Sequence, residues 1–329
     1  MKAVITLAFI GDVMLGRGVN QEIHRHTPES FWGDVLPVLR GADVAIANLE
    51  CAITQHTEEY KRMSKMFHFR ADPAAIKVLS AANIGYVSLA NNHVLDYQEA
   101  GLIDTLQWLD KAGIRHAGAG RNLHEAAAPV QFEVEGMKVG ILALTDNQPD
   151  FAADRDRAGT NYLRIRNDEV TMAWLREQVT QLRSAGAALI ILSAHWGPNM
   201  VALPSPWFRN FARAAIDCGV DIFHGHSAHL FQGVERYENG LILYDTGDFL
   251  DDYAINASLH NDWSFVFLVE LDDKGLQRLR MLPVRLHYAR VDLARDEDFI
   301  AICKRMQWLC AEFNTNAIET PEGLEIALR

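Results

Sequence analysis

The chain has 329 residues, 49% of them apolar, and a formal charge of −12. That length and composition suit a globular protein with a large core, and the charge disfavours broad attraction to nucleic acid or an anionic membrane surface, leaving a small or locally recognised partner. No stretch approaches the ~18 consecutive apolar residues of a membrane helix, and Cys51, Cys218, Cys303 and Cys310 form no CxxC pair, so a cytoplasmic protein with reduced core cysteines is expected. The first apolar run, 3–10, follows a lysine. It has no small-residue cleavage site and flows into Gly11-Asp12, so it reads as a buried strand and not as a signal peptide. Strand-like runs recur at 43–47, 84–90, 137–144, 187–194, 220–224 and 241–245. Segments 73–82, 99–111, 167–184 and 206–218 lie between them with apolar residues at helical spacing. In the last of these Phe208, Phe211, Ala212, Ala215 and Ile216 form one stripe. Alternating strands and helices predict an α/β fold. Residues 146–163 and 252–262 are strand-poor and rich in Asp, Asn and Gly, as functional loops often are. The runs 264–271 and 276–287 predict a hairpin through Asp272-Asp273-Lys274-Gly275, and a helix is predicted over 296–314. With no linker in between, 1–329 reads as a single domain whose residues 256–329 are a strand-strand-helix extension.

Polar residues able to bind metal repeatedly follow the apolar runs. Asp12 follows the first, Asn48 and Glu50 the second, and Asn91, Asn92 and His93 the third. His195 follows 187–194, and His224, His226 and His229 close or follow 220–224. In open α/β sheets ligands bind beyond the carboxyl ends of the strands, where side chains from separate strands converge. Singly, each residue has a packing explanation: Asp12 as a turn or helix cap, Asn91-Asn92 as a turn, His93 as a structural histidine. Together they predict a metal site. Imidazoles, carboxylates and an amide oxygen suit Mn²⁺, Fe²⁺ or Zn²⁺ better than Ca²⁺. The number of donors favours two ions sharing a carboxylate over one ion.

The stretches Phe9–Arg17, Ala47–Glu50, Leu89–Asp96, Ala194–Gly197, Gly219–Ile222, Gly225–His229 and Gly247–Phe249 resemble, in order, the poly-γ-glutamate capsule biosynthesis (CapA-type) family of the calcineurin-like metallophosphoesterase superfamily. The resemblance implies a four-layer α-β-β-α sandwich of the metallophosphoesterase type and a metal-dependent hydrolase. It gives Asp12 the role of opening metal ligand, Glu50 that of bridging carboxylate and Asn92 that of amide ligand. His93 then resembles the general acid, with Asp96 orienting it. His195 and the histidine cluster resemble the remaining ligands; of His224, His226 and His229, the last two are favoured. Asp248 is expected to orient a ligand histidine from behind.

The sequence also departs from the pattern. Met14 stands two residues after Asp12, where the superfamily usually has a histidine, and Ser227 occupies a usual histidine position in the final motif. These departures favour the alternative of an accessory protein that binds an anionic polymer without cutting it. Among Lys61, Arg62, Lys65, His68 and Arg70, the residues Lys65 and Arg70, with Arg17, are the candidate contacts to an anionic phosphoester or γ-glutamyl-type substrate. The same basic stretch also reads as an exposed strand with alternating faces.

Overall fold

Alternation along the first apolar run sets the layering of the whole molecule. In the strand Ile5–Val13, Leu7 and Phe9 enter one core while Ala8 and Ile10 enter another, as the two-residue period of a strand requires. The structure is a computed structural model that describes residues 4–63, 65–165 and 168–329. Ala3 and Asn167, the predicted first residues of a strand and a helix, lie outside the described residues.

Two large sheets face each other. The first runs, in spatial order, through Ile318–Thr320, Gly323–Ala327, Gly275–His287, Trp263–Asp272, Ile5–Val13, Val44–Leu49, Ile84–Ser88 and Arg115–Ala117. Asp248–Leu250 and Arg290–Leu293 also pair into it. The second runs through Val234–Tyr237, Gly240–Leu243, Ile222–His226, Leu189–His195, Met137–Thr145 and Val130–Val134. Phe9, Ile46 and Tyr86 of the first sheet meet Ile141, Ile191 and Leu241 of the second in a shared core. Helices Ala75–Ala81 and Gln98–Ala112 cover the outer face of the first sheet through Val78, Leu79, Leu102 and Leu106. Helices Glu169–Ser184 and Pro206–Asp217 cover the second through Leu175, Val179, Phe211 and Ile216. The result is a four-layer α-β-β-α sandwich, the fold class expected from the sequence.

The helix beginning at Glu169 is capped by Asp168, whose side chain accepts from Thr171 N, and Ser205 caps the helix that follows. The C-terminal helix is shorter than 296–314: it ends at Ala311, and Asn314 adopts a left-handed backbone, φ 55°. The predicted hairpin forms with Asp272 opposite Gly275. Its first strand pairs antiparallel with Ile5–Val13. Helix Asp296–Ala311 adds Ile302, Met306 and Leu309 to the core between the sheets. Among the described residues no helix is long and apolar enough to cross a membrane.

Ile5–Val13, Val44–Leu49 and Ile84–Ser88 are mutually parallel, as are Met137–Thr145, Leu189–His195 and Ile222–His226. Their carboxyl ends carry Asp12, Glu50, Asn92, His195 and His226 to one edge of the sandwich.

Candidate functional site

Asp12 sits where two backbones touch. Its amide donates to the Gly247 carbonyl at 2.9 Å, and a Cβ on neighbouring Gly11 would lie 1.7 Å from the same oxygen. Only glycine permits that approach. The pairing is parallel and sets Asp12 beside Asp248. Asn48 Nδ2 donates to Asp12 Oδ1 at 2.7 Å, and Asn91 Nδ2 donates to Asn48 Oδ1 at 3.0 Å and to the Leu49 carbonyl at 2.8 Å. Asn91 Oδ1 in turn accepts from the amides of His93 and Val94. Asn48 and Asn91 therefore brace the carboxylate and the turn after the third strand.

Two sets of possible metal donors meet at Asp12. In one, ligand atoms of Asp12, His195 and His226 lie within 4.8 Å of one another; in the other, those of Asp12, Glu50, His229 and Asp248 do. His195 and His226 are cross-strand neighbours, with Nδ1 atoms 3.0 Å apart. Ser193 Oγ lies 2.9 Å from His226 Nε2, which turns Nδ1 toward Asp12 Oδ1 at 3.8 Å. Asn92 Oδ1 is 2.9 Å from His195 Nε2. His229 reaches the site through a turn in which Ser227 has φ 113° and His229 φ 57°. Asp245 holds that turn by accepting from the amides of Ala228 and Gly247, both at 2.8 Å.

The electrostatics are those of a buried pocket. Burial pushes Asp12 up to about 7, and burial followed by the charge of Asp12 raises Glu50 well above the usual carboxylate range. Burial holds His195 and His226 well below the usual imidazole value. Burial acts the same way on His229, but Asp248, Glu50 and Asp12 outweigh it and keep its proton on. Asp12 Oδ2, Glu50 Oε2 and Asp248 Oδ2 are buried and accept no hydrogen bond. Buried polar atoms without partners are costly. A divalent cation would satisfy all three oxygens, so these residues fit one.

Beside this cluster, His93 Nδ1 lies 2.6 Å from Asp96 Oδ2, and His93 Nε2 lies 3.8 Å from Glu50 Oε1. Phe69 stacks on the His93 ring with centroids 4.0 Å apart. Burial drives His93 down to about 4, against the pull of Asp96. Two backbone amides tie neighbouring chain to Asp96: Tyr60 N donates to its carbonyl at 2.9 Å and Phe69 N to its Oδ2 at 2.7 Å.

Four further predicted residues have these partners. His224 lies two residues back along its strand, with Nε2 3.1 Å from Thr246 Oγ1 and its ring against Phe9, and it belongs to neither donor set. Lys65 is half-buried and donates to Asp96 Oδ1 and the Asn92 carbonyl, with its ammonium 3.1 Å from His93 Nδ1. Arg70 donates to the His56 carbonyl at 2.6 Å and lies over Tyr97. Arg17 lies over Phe67 and Phe69, 3.5 Å from Asp252, with its side chain 41% exposed. Asp248, expected behind a histidine, has a donor atom inside the second set. Met14 is fully buried in the core under the first sheet, and its sulfur accepts from Gly16 N at 3.1 Å. Asp245 went unnoticed in the sequence, although it opens the run Asp245-Thr246-Gly247-Asp248.

Residues 6–253 match the family model described as bacterial capsule synthesis protein PGA_cap. The capsule biosynthesis protein CapA of Bacillus anthracis is 28% identical over 284 residues, covering 86% of this chain and 67% of that protein. A probable polyglutamine synthesis accessory protein of Mycobacterium tuberculosis is 30% identical, covering 98% of this chain and 95% of its own length. Among solved structures, a hypothetical protein from Thermus thermophilus superposes with a TM-score of 0.50 at 14% identity, over 86% of this chain and 100% of that one, a likeness of fold alone. With the family model spanning both donor sets and every strand that carries them, the chain belongs to the bacterial capsule synthesis protein PGA_cap family.

Proposed function

We propose that this chain is a metal-dependent hydrolase acting on a small or polymeric anionic substrate, through a phosphoester or a γ-glutamyl-type amide bond. The observation that carries the reading is the meeting of two donor sets at Asp12, with three buried carboxylate oxygens lacking any hydrogen bond. Two divalent ions of the Mn, Fe or Zn class held there would supply an activated water and charge to neutralise the reacting oxygens. Asn48 and Asn91 keep Asp12 from rotating out of the shared position. Asp96 Oδ2 accepts a hydrogen bond from His93 Nδ1–H, leaving Nε2 as the atom that faces Glu50 and would exchange a proton with substrate. Phe69 fixes the plane of that ring and keeps water from its face.

The test has two parts. Purified protein incubated with Mn²⁺ is expected to contain more than half an equivalent of metal by mass spectrometry, and His195→Ala to lose it. Well-folded protein without metal ends the proposal. A panel of a chromogenic phosphodiester, a phosphomonoester and a γ-glutamyl oligomer then reads the chemistry. Turnover lost in Asp12→Asn and His93→Ala supports the hydrolase.

A second reading, an accessory protein that holds an anionic polymer without cutting it, is favoured by Met14, which removes one imidazole from the usual set. It expects metal and polymer binding with no turnover of any panel substrate.

A further inference from the structure

Met14 supplies no ligand, yet the donor set of Asp12, Glu50, His229 and Asp248 is not short of one. Asp248 is fully buried, its strand pairs in parallel with that of Asp12, and its Oδ2 accepts no hydrogen bond. A ligand atom of Asp248 lies within 4.8 Å of those of Asp12, Glu50 and His229. A carboxylate that merely orients a ligand histidine bonds the ring nitrogen that points away from the ion. Here a single nitrogen, His229 Nδ1, is 2.8 Å from Asp248 Oδ1 and 3.8 Å from Asp12 Oδ2. Asp248 therefore stands beside that nitrogen on the Asp12 side and not behind the ring.

We infer that Asp248 is a direct metal ligand that replaces the imidazole missing at Met14, so that the two positions sharing Asp12 differ in chemistry. One position has Asp12, Glu50, Asp248 and His229, three carboxylates and one imidazole. The other has Asp12 with His195 and His226, and Asn92 Oδ1 sits next to His195. Carboxylate oxygens suit harder ions such as Mn²⁺, and imidazoles suit Zn²⁺ or Fe²⁺. The protein is thus built for two unlike ions. The inference rests on the metal reading of the preceding section.

Metal binding alone tests it, without recourse to activity. Protein stripped with chelator is titrated with Mn²⁺ and with Zn²⁺, and bound metal is counted after dialysis, for wild type, Asp248→Asn, Asp248→His and His226→Ala. Wild type is expected to bind two equivalents. Asp248→Asn keeps an oxygen for His229 but loses the charge, and is expected to drop to one equivalent, with Mn²⁺ affinity at the lost position down by more than about a hundredfold. That exceeds the ~10–100-fold effect of an outer hydrogen-bond partner. Asp248→His restores a donor and is expected to recover the second equivalent with its preference shifted toward Zn²⁺, which guards against a fold lost in the first variant. His226→Ala is expected to weaken Zn²⁺ binding more than Mn²⁺ binding. Two equivalents in Asp248→Asn with affinities within about tenfold of wild type would overturn the assignment while leaving the hydrolase standing. No metal in wild type removes both.

Discussion

Lys65 and Asp96 form a buried ion pair in which the lysine's own proton affinity is lowered by burial, against the pull of Asp96. Lys65→Met removes the cation beside Asp96, leaving it only the His93 Nδ1 and Phe69 N contacts, at a cost of about 3–5 kcal/mol by urea unfolding. Adding Asp96→Asn in the same chain is expected to recover most of that loss. Proton competition at the donor sets gives a second expectation. Asp12 titrates near 7 in the metal-free fold, above the carboxylate value of an unfolded chain, so its contribution to stability is present at low pH and lost as pH rises through about 7. Glu50 is shifted in the same direction, and His229 also holds its proton. An ion must displace these protons. Added Mn²⁺ should therefore raise the melting temperature little at pH 5.5 and strongly at pH 8; an equal rise at both would contradict the proton assignment. The candidate donors were legible because Asp12, Glu50 and His195 directly follow or end apolar runs. Depth within the sandwich was not legible. His224 and His226 share a strand face by period, and only the position of Phe9 shows that the first is core. The placement of Lys65 depends on a contact with Asp96, 31 residues away.

The close approach of two short backbone segments is what joins the donor sets. Gly11→Ala would drive a methyl group into the Gly247 carbonyl and push Ile5–Val13 away from Asp248–Leu250. A loss of about 1–3 kcal/mol in denaturant unfolding is expected from such overpacking, together with weakened metal binding. Stability lost with metal affinity intact would show that the pairing does not set the site. The central strands were readable because both faces are buried, as in Leu189–His195 and Val44–Leu49, which produces unbroken apolar runs. Edge strands escaped for the opposite reason. Val130–Val134 is mostly half-buried and Ile318–Thr320 mostly exposed, so neither has a marked pattern. The parallel pairing of Asp12 with Asp248 spans most of the chain, and no local signal announces it.

Across the whole molecule, the C-terminal hairpin and helix share the core between the sheets, with Leu279, Met281, Ile302 and Met306 packed against residues of both. A chain ending at Leu293 loses the helix Asp296–Ala311 and exposes that core. It is expected to be insoluble or to melt without a cooperative transition in calorimetry, and a cooperative transition would mark the segment as dispensable. The α/β class was visible from alternating strands and helices and the four-layer sandwich from the family resemblance, while the order of strands within each sheet was not, because it depends on long-range pairings such as that of Ile5–Val13 with Trp263–Asp272. The partners of Lys65 and Arg70 within the chain also set how the molecule would meet an anion. Of the three candidate anion contacts, Arg17 is exposed but lies beside Asp252, while Lys65 and Arg70 already donate to groups of this chain. On the proposed reading, the attraction for a negatively charged substrate would fall mainly to the ions. Binding would then be reciprocal: whatever factor the ions add to the affinity for the anion, the anion would return to the affinity for the ions. Substrate would act as a lock on the metal, slowing its loss to chelator in proportion to how tightly it is held.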